Sequence, residues 1–217
     1  MHIEHLTNLE MIGAALVVLV LGFLVYRLVP GPPRARPRAH FSEDEITAYD
    51  RALPKYFLVG LGALALGGLH AVIKDVPLIY SWLTLAGHGG HMIRDLVNTH
   101  LVIVVGGIVT AIGLVWYALP RVARRPLFSP GLASWSFWLT VVGAVGFYLA
   151  NTVLGVVFGQ YAHNGIDYDT AKPILGALRA VPIGMSAGIM GIGYWTFVAE
   201  VFLTVWAARR EIGRAHV

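Results

Sequence analysis

Five long apolar runs constrain the fold of this chain more than any other feature of its sequence. They span residues 11–29, 56–73, 96–119, 134–159 and 180–207. A membrane-spanning helix needs about 20 consecutive apolar residues, because each residue advances about 1.5 Å across a hydrocarbon core of roughly 30 Å. With 57% hydrophobic residues, 13% charged residues and a mean hydropathy of +0.68, the composition is also that of a membrane protein. The sequence therefore predicts an all-α integral membrane protein with five transmembrane helices.

The basic residues predict how these helices are oriented. Twelve of the sixteen Lys and Arg residues fall in 27–55, in 120–133 and in the C-terminal tail. The other four are Lys74, Arg94, Lys172 and Arg179. Loops rich in Lys and Arg stay on the cytoplasmic side, so we expect the N-terminus outside and a prokaryotic cytoplasmic (inner) membrane location. Because the positive charges flank apolar runs, they suit lipid headgroups and not nucleic acid.

The chain divides by composition into three parts. Residues 1–30 hold the first apolar run, which lacks both a basic leader and a small-residue cleavage site and is therefore expected to be a retained transmembrane helix. Residues 31–55 form a proline-rich cytoplasmic linker that ends in a predicted capped turn, FSEDE at 41–45. Residues 56–217 are expected to form a four-helix membrane bundle, which contains the candidate cofactor ligands.

Histidines are the strongest candidates for binding a cofactor. The chain has nine histidines and no cysteine, which excludes disulfides, iron–sulfur clusters and covalently attached heme. His70 and His100 fall inside apolar runs, where an imidazole is costly and usually functional. Counting residues from the predicted outer boundary puts both at about the same depth, as bis-histidine ligation of a b-type heme requires. Arg94 and Arg179 could then neutralise its propionates. The structural alternative is that each ring only hydrogen-bonds a neighbouring helix.

Flanking glycines are expected to leave room for the macrocycle in this interpretation. They are Gly67, Gly68, Gly106 and Gly107.

Weaker candidates surround this pair. Met185 is predicted at the same depth and is an alternative axial ligand, although methionine in a helix usually only packs. His88 and His91 could bind a metal, but their glycine-rich surroundings predict an irregular, solvated outer loop. Glu200 is expected near the inner face, either relaying protons or extending its carboxylate towards the basic C-terminal end of the last run.

Four short motifs carry a resemblance to a known family. They are NTH at 98–100, YALPR at 117–121, LFS at 127–129 and WSFW at 135–138. In this order they resemble the catalytic subunits of the heme-copper oxidase superfamily, in particular the nitric oxide reductase and C-type oxidase branch. The resemblance covers about 90–210 and identifies the chain as a truncated relative.

Two alignments to that family are open, one to its tenth helix and one to its second. Both imply that His100 is a ligand of the low-spin, electron-transferring heme or lies next to one. In the first alignment, Asn98 replaces a histidine that ligates the oxygen-binding heme. The helices that carry the copper ligands have no counterpart here, so the resemblance implies electron transfer without O2 or NO reduction within this chain.

These observations predict a membrane-bound b-type cytochrome that carries electrons through a low-spin heme near the outer face. Its expected partners are the lipid bilayer and a periplasmic cytochrome or redox enzyme subunit in a hetero-oligomer, with quinone as a further candidate. Two alternatives stay open. The chain could be a split piece of a reductase that a partner chain completes, or a heme-free membrane anchor or assembly subunit.

Overall fold

The computed structural model describes the backbone of residues 41–215 and the side chains of residues 41–210. The chain divides after Arg38, and the described residues belong to the second unit. The predicted helix at 11–29, and with it the predicted domain 1–30, lies outside the described residues. In the second unit the helices are α1 (Glu43–Ile46), α2 (Pro54–Lys74), α3 (Pro77–Leu85), α4 (His88–Ala123), α5 (Pro130–His163), α6 (Tyr168–Leu175) and α7 (Val181–Ala215).

Four helical spans are long and apolar enough to cross a membrane. They are Glu43–Lys74, His88–Ala123, Pro130–His163 and Val181–Arg210. Each matches one of the four apolar runs predicted after residue 50 to within one residue or contains it, and no strand occurs between residues 41 and 215. An all-helical protein that crosses a membrane several times is thereby confirmed.

Sequence signals at the helix starts explain where the helices begin. Ser42 and Glu45 form a capping box: Glu45 N donates to Ser42 Oγ (3.3 Å) and Ser42 N donates to Glu45 Oε2 (2.9 Å). The capped turn predicted at FSEDE is therefore confirmed. Pro54, Pro77 and Pro130 each occupy the first turn of a helix, where a missing N–H costs nothing.

The segment 88–91 is helical, so the prediction of an irregular outer loop there was wrong. Its two central glycines are buried by close contacts on both sides. A Cβ on Gly89 would meet the backbone of Gly155 and Gly159 in α5, and a Cβ on Gly90 would meet the backbone of Leu83 in α3. These glycines allow helices to approach closely, and α4 begins eight residues before the predicted run as a result.

Close helix pairs build the membrane bundle. The α2–α4 pair is antiparallel, with Gly60 against Thr110 and Gly113 against the Tyr56 side chain. In the α5–α7 pair, a Cβ on Gly143 would lie only 2.7 Å from Met190 Cα. Aromatic side chains fill the core, including a Tyr56–Phe137 edge contact with ring centroids 4.7 Å apart. Large apolar side chains cover the outer surface, as lipid contact requires.

Candidate functional site

The packing of α2 against α4 sets the relative heights of the two candidate ligands. Lys74 Nζ donates to the Arg94 carbonyl (3.5 Å), and two helical turns further into the membrane Gly67 faces Val102. Because the helices run antiparallel, His70 lies level with residues 98–100. The two histidines are therefore at similar depth near one end of the bundle.

Two of the four flanking glycines do not provide space for a macrocycle, contrary to the prediction. A Cβ on Gly67 would collide with the Val102 side chain, and a Cβ on Gly106 would lie 2.7 Å from Leu64 Cδ2. Both positions bring α2 and α4 together instead. Gly68 faces open space, and a Cβ on Gly107 would meet only the Val102 carbonyl oxygen, at 3.8 Å.

His100 is held in one orientation by its surroundings. Its Nδ1 donates to the Leu96 carbonyl (2.8 Å), since a carbonyl can only accept. This bond fixes the tautomer and leaves Nε2 as the nitrogen able to bind a metal. The half-buried ring stacks on Phe147 of α5, with centroids 4.3 Å apart and planes 29° from parallel. His100 thus has the features of a preorganised imidazole ligand.

The backbone around His100 is also unusual. Two π-helical segments, Met92–Val97 and His100–Ile108, interrupt the α-helical geometry of α4. Such wide turns are rare and occur frequently at functional sites. Between them, the Asn98 Oδ1 atom is buried and accepts no hydrogen bond from the part of the chain that the structure describes. The family motif at 98–100 drew attention to Asn98. No feature of the sequence that we recognise predicts the two π-helical segments.

His70 borders an apolar cavity of about 570 Å³ between α2, α3, α4 and α5. Its ring meets Tyr148 edge-on, with centroids 6.4 Å apart. Lys74 lies at the end of this cavity, and α4 contributes Leu101 to the wall. His100 is not among the residues that line it. The structure therefore brings the two histidines to one level without placing them around one cavity.

The other predicted ligands point to separate neighbours. His88 stacks on Tyr168 of α6 at 3.7 Å, whereas His91 pairs with Asp95 through Nδ1 at 2.9 Å. His88 and His91 are both exposed, but they do not converge on one point. Met185 is 62% exposed, so the usual core position of a helical methionine does not apply here.

The two arginines predicted beside the propionates differ in their surroundings. Arg94 already pairs with Asp95, with Nε 3.2 Å from Oδ1. Arg179 is exposed at the end of a 3-10 turn, Gly176–Arg179, just before α7.

Glu200 is fully buried near the start of α5, so the prediction that it extends towards the basic C-terminal end was wrong. Its Oε1 accepts the Ser129 N–H (2.8 Å) and the Thr204 hydroxyl (3.2 Å). The Oε2 atom has no hydrogen-bond partner among the described residues. This carboxyl group therefore joins α7 to the residue that caps α5.

The candidate ligands can be compared with what a heme, the cofactor that the sequence predicted, requires of the protein. The Nδ1 of His100 is satisfied by the Leu96 carbonyl, so Nε2 is the nitrogen that could bind a heme iron. His70 offers a second imidazole at similar depth, but it lines a cavity that His100 does not line. Within residues 41–210 no group of three or more His, Cys, Asp or Glu side chains could hold a metal ion.

Comparison with known proteins gives one match. The family model described as Cytochrome C and Quinol oxidase polypeptide I matches residues 51–215. This range includes the helices α2, α4, α5 and α7 and contains His70, Asn98 and His100. Searches of curated proteins and of solved structures returned no match. Because the family model covers more than half of the sequence, the chain belongs to the Cytochrome C and Quinol oxidase polypeptide I family.

Proposed function

We propose that this protein is a membrane-bound b-type cytochrome subunit that carries electrons through a low-spin heme bound to His100. The observation that carries the proposal is the Nδ1–H bond from His100 to the Leu96 carbonyl at 2.8 Å. Histidines that ligate metals commonly donate their other ring N–H to a carbonyl or carboxylate, which fixes the ring and raises its basicity. The heme-binding character of the family supports the same proposal.

The residues around His100 would define the heme environment. The Leu96 carbonyl holds Nε2 in a fixed direction, and Phe147 covers one face of the imidazole ring. A bound heme would supply the reversible one-electron chemistry, while the protein supplies the ligand and a dry apolar setting. Among the predicted propionate partners, Arg179 is exposed and Arg94 is engaged by Asp95. We therefore favour Arg179 for that role.

The second axial ligand is proposed to come from a partner chain. His70 borders a cavity that His100 does not line, and Met185 is largely exposed. Neither makes a hydrogen bond or a ring contact with His100 in the described part of the chain. This arrangement favours a split subunit of the nitric oxide reductase and C-type oxidase branch, completed by another subunit. The competing prediction, in which His70 is the second ligand, requires a heme to reach both the cavity beside His70 and the ring of His100.

The expected cellular setting follows from the charge distribution. We infer a prokaryotic inner membrane with the N-terminus outside, and a heme near the outer face. A periplasmic cytochrome, another redox subunit or quinone would then exchange electrons with it. The Lys and Arg bias described above supports this orientation.

A reduced-minus-oxidised spectrum of the complex purified from membranes tests the proposal. We expect the sharp α band of low-spin heme b in the wild type and its loss in His100→Ala. His163→Ala is the matched control, because His163 is exposed at the end of α5 and its Nε2 donates to the Trp82 carbonyl (3.2 Å).

Three outcomes separate the alternatives. Retention of the band in His70→Ala supports a ligand from a partner chain, whereas its loss supports ligation by His70. A wild-type complex without any heme band contradicts the proposal and favours a heme-free anchor or assembly subunit. CO binding to the reduced complex would contradict a six-coordinate, low-spin site and indicate an open one.

A further inference from the structure

The cavity beside His70 is independent of the environment of His100. It occupies about 570 Å³ and is walled almost entirely by aliphatic side chains from α2, α3, α4 and α5. Volumes in this range are typical of sites for small molecules. Several wall residues are also partly exposed on the outer surface of the bundle, including Leu66 (59%), Leu69 (55%) and Leu149 (54%). The cavity is therefore open on the side where lipid would lie.

The shape of the cavity follows the membrane normal. Its α2 wall extends from Leu66 to Lys74, which corresponds to about 12 Å at 1.5 Å per residue. Its α4 wall extends in the opposite direction from Ile93 to Val105. An elongated apolar slot of this orientation suits a hydrocarbon chain that lies parallel to the helices.

Charge is confined to one end of the slot. Lys74 is the single charged side chain among the residues that line it. The ammonium group has one described hydrogen bond, to the Arg94 carbonyl at a long 3.5 Å, so it retains donors for another ligand. Because Lys74 is the last residue of α2, it lies at the level where lipid headgroups are found.

Two polar side chains lie along the slot. His70 is one helical turn from Lys74, about 6 Å further into the membrane, and Tyr148 faces it from α5. Groups at this level can donate hydrogen bonds to ester carbonyl oxygens, which lie just below the phosphate of a phospholipid.

We propose that this cavity binds one phospholipid with an anionic headgroup, with its phosphate on Lys74 and one acyl chain along the aliphatic wall. The cation at one end, the apolar slot below it and the access from the bilayer together match this ligand. A cation at the headgroup level attracts an anionic phosphate more strongly than a zwitterionic headgroup. The site does not depend on the proposed heme, because His100 does not line the cavity.

Native mass spectrometry of the intact complex tests this proposal with two probes that share the same acyl chains. The complex is delipidated and incubated with dioleoylphosphatidylglycerol or dioleoylphosphatidylcholine. We expect one phosphatidylglycerol to be retained in preference to phosphatidylcholine. Lys74→Gln should weaken retention of phosphatidylglycerol about fivefold, since one interfacial cation contributes roughly 1 kcal/mol.

Two further variants keep the test specific. Lys172→Gln is the matched control, because Lys172 pairs with Asp169 (2.6 Å) outside the cavity, and it should retain the lipid. Val145→Trp places a large ring in the slot from a partly exposed position and should reduce retention of both probes. Circular dichroism and the heme spectrum report whether each variant remains folded.

Several results would overturn the proposal. Equal retention of the two probes would show that headgroup charge is not recognised. An equal loss in Lys74→Gln and Lys172→Gln would indicate general surface attraction, and unchanged retention in Val145→Trp would place the lipid elsewhere. Recovery of a quinone instead of a phospholipid from the complex as purified would assign the slot to a different ligand.

Discussion

Substitution of Gly143 by alanine tests how closely α5 and α7 must approach. A Cβ at this position would lie 2.7 Å from both Met190 Cα and the Ser186 carbonyl oxygen, whereas ordinary contacts of a Cβ begin at 3.4 Å. Both neighbours are backbone atoms of α7, so they cannot rotate away. The helices must therefore separate locally by roughly 0.5–1 Å, which forfeits about a quarter to a half of the dispersion energy of each affected contact.

We expect Gly143→Ala to lower the free energy of unfolding by about 1–3 kcal/mol, the usual cost of overpacking. For a chain of this size each kcal/mol corresponds to about 2–4 °C in melting temperature. Thermal unfolding of the purified protein in a single detergent measures this shift. Gly188→Ala is the matched control, because a Cβ there has no neighbour within 4 Å. Equal destabilisation by both substitutions would refute the close-packing argument.

Two other predictions concern polar contacts at helix starts. Glu200→Leu should destabilise the protein more than Glu200→Gln, because leucine leaves the Ser129 N–H and the Thr204 hydroxyl without their acceptor. Each buried group left without a partner costs about 1–3 kcal/mol. Equal unfolding midpoints of the two variants would contradict this reasoning. Asp167 accepts the Thr170 N–H at 2.7 Å, and this bond holds the pKa of Asp167 below its usual value. The stabilisation is present above the unfolded-state pKa of about 4 and is lost as the pH falls through the lower folded-state value. Hydrogen exchange at the Thr170 amide should therefore accelerate, relative to other α6 amides, only at strongly acidic pH.

The membrane spans could be predicted because each depends only on the residues within it. Twenty consecutive apolar residues can satisfy their backbone groups within a bilayer only by forming a helix. The start of α1 was equally local, since Ser42 and Glu45 carry their own capping signal. The true start of α4 was not, because Gly89 and Gly90 look like loop residues until their contacts with α3 and α5 are known.

The direction of the histidine rings could not be predicted from residue counts. Counting along α2 and α4 gives the height of His70 and His100, and the antiparallel packing places them level. The rotation of each helix about its own axis decides which cavity a ring faces. In α4 that rotation depends on π-helical segments, which shift the register of the side chains. As a result Leu101, not His100, lines the cavity beside His70.

Single glycines show the same limit of prediction from the sequence. Gly67 and Gly68 are adjacent and chemically identical, yet one touches Val102 and the other faces open space. The sequence predicted space for a cofactor at both. Only the position of the neighbouring helix distinguishes a glycine that brings helices together from one that leaves a gap.

The bond from Ser129 to Glu200 has a consequence for biosynthesis. The two residues are separated by 71 positions in the sequence, so the backbone N–H at the start of α5 finds its buried acceptor only after most of α7 has been made. At about 5–20 residues per second, this delay lasts roughly 4–14 s. During that interval the loop before α5 must remain hydrated or be shielded by the insertion machinery. Synthesis of α7 as far as Glu200 therefore completes the hydrogen bonding at the start of α5.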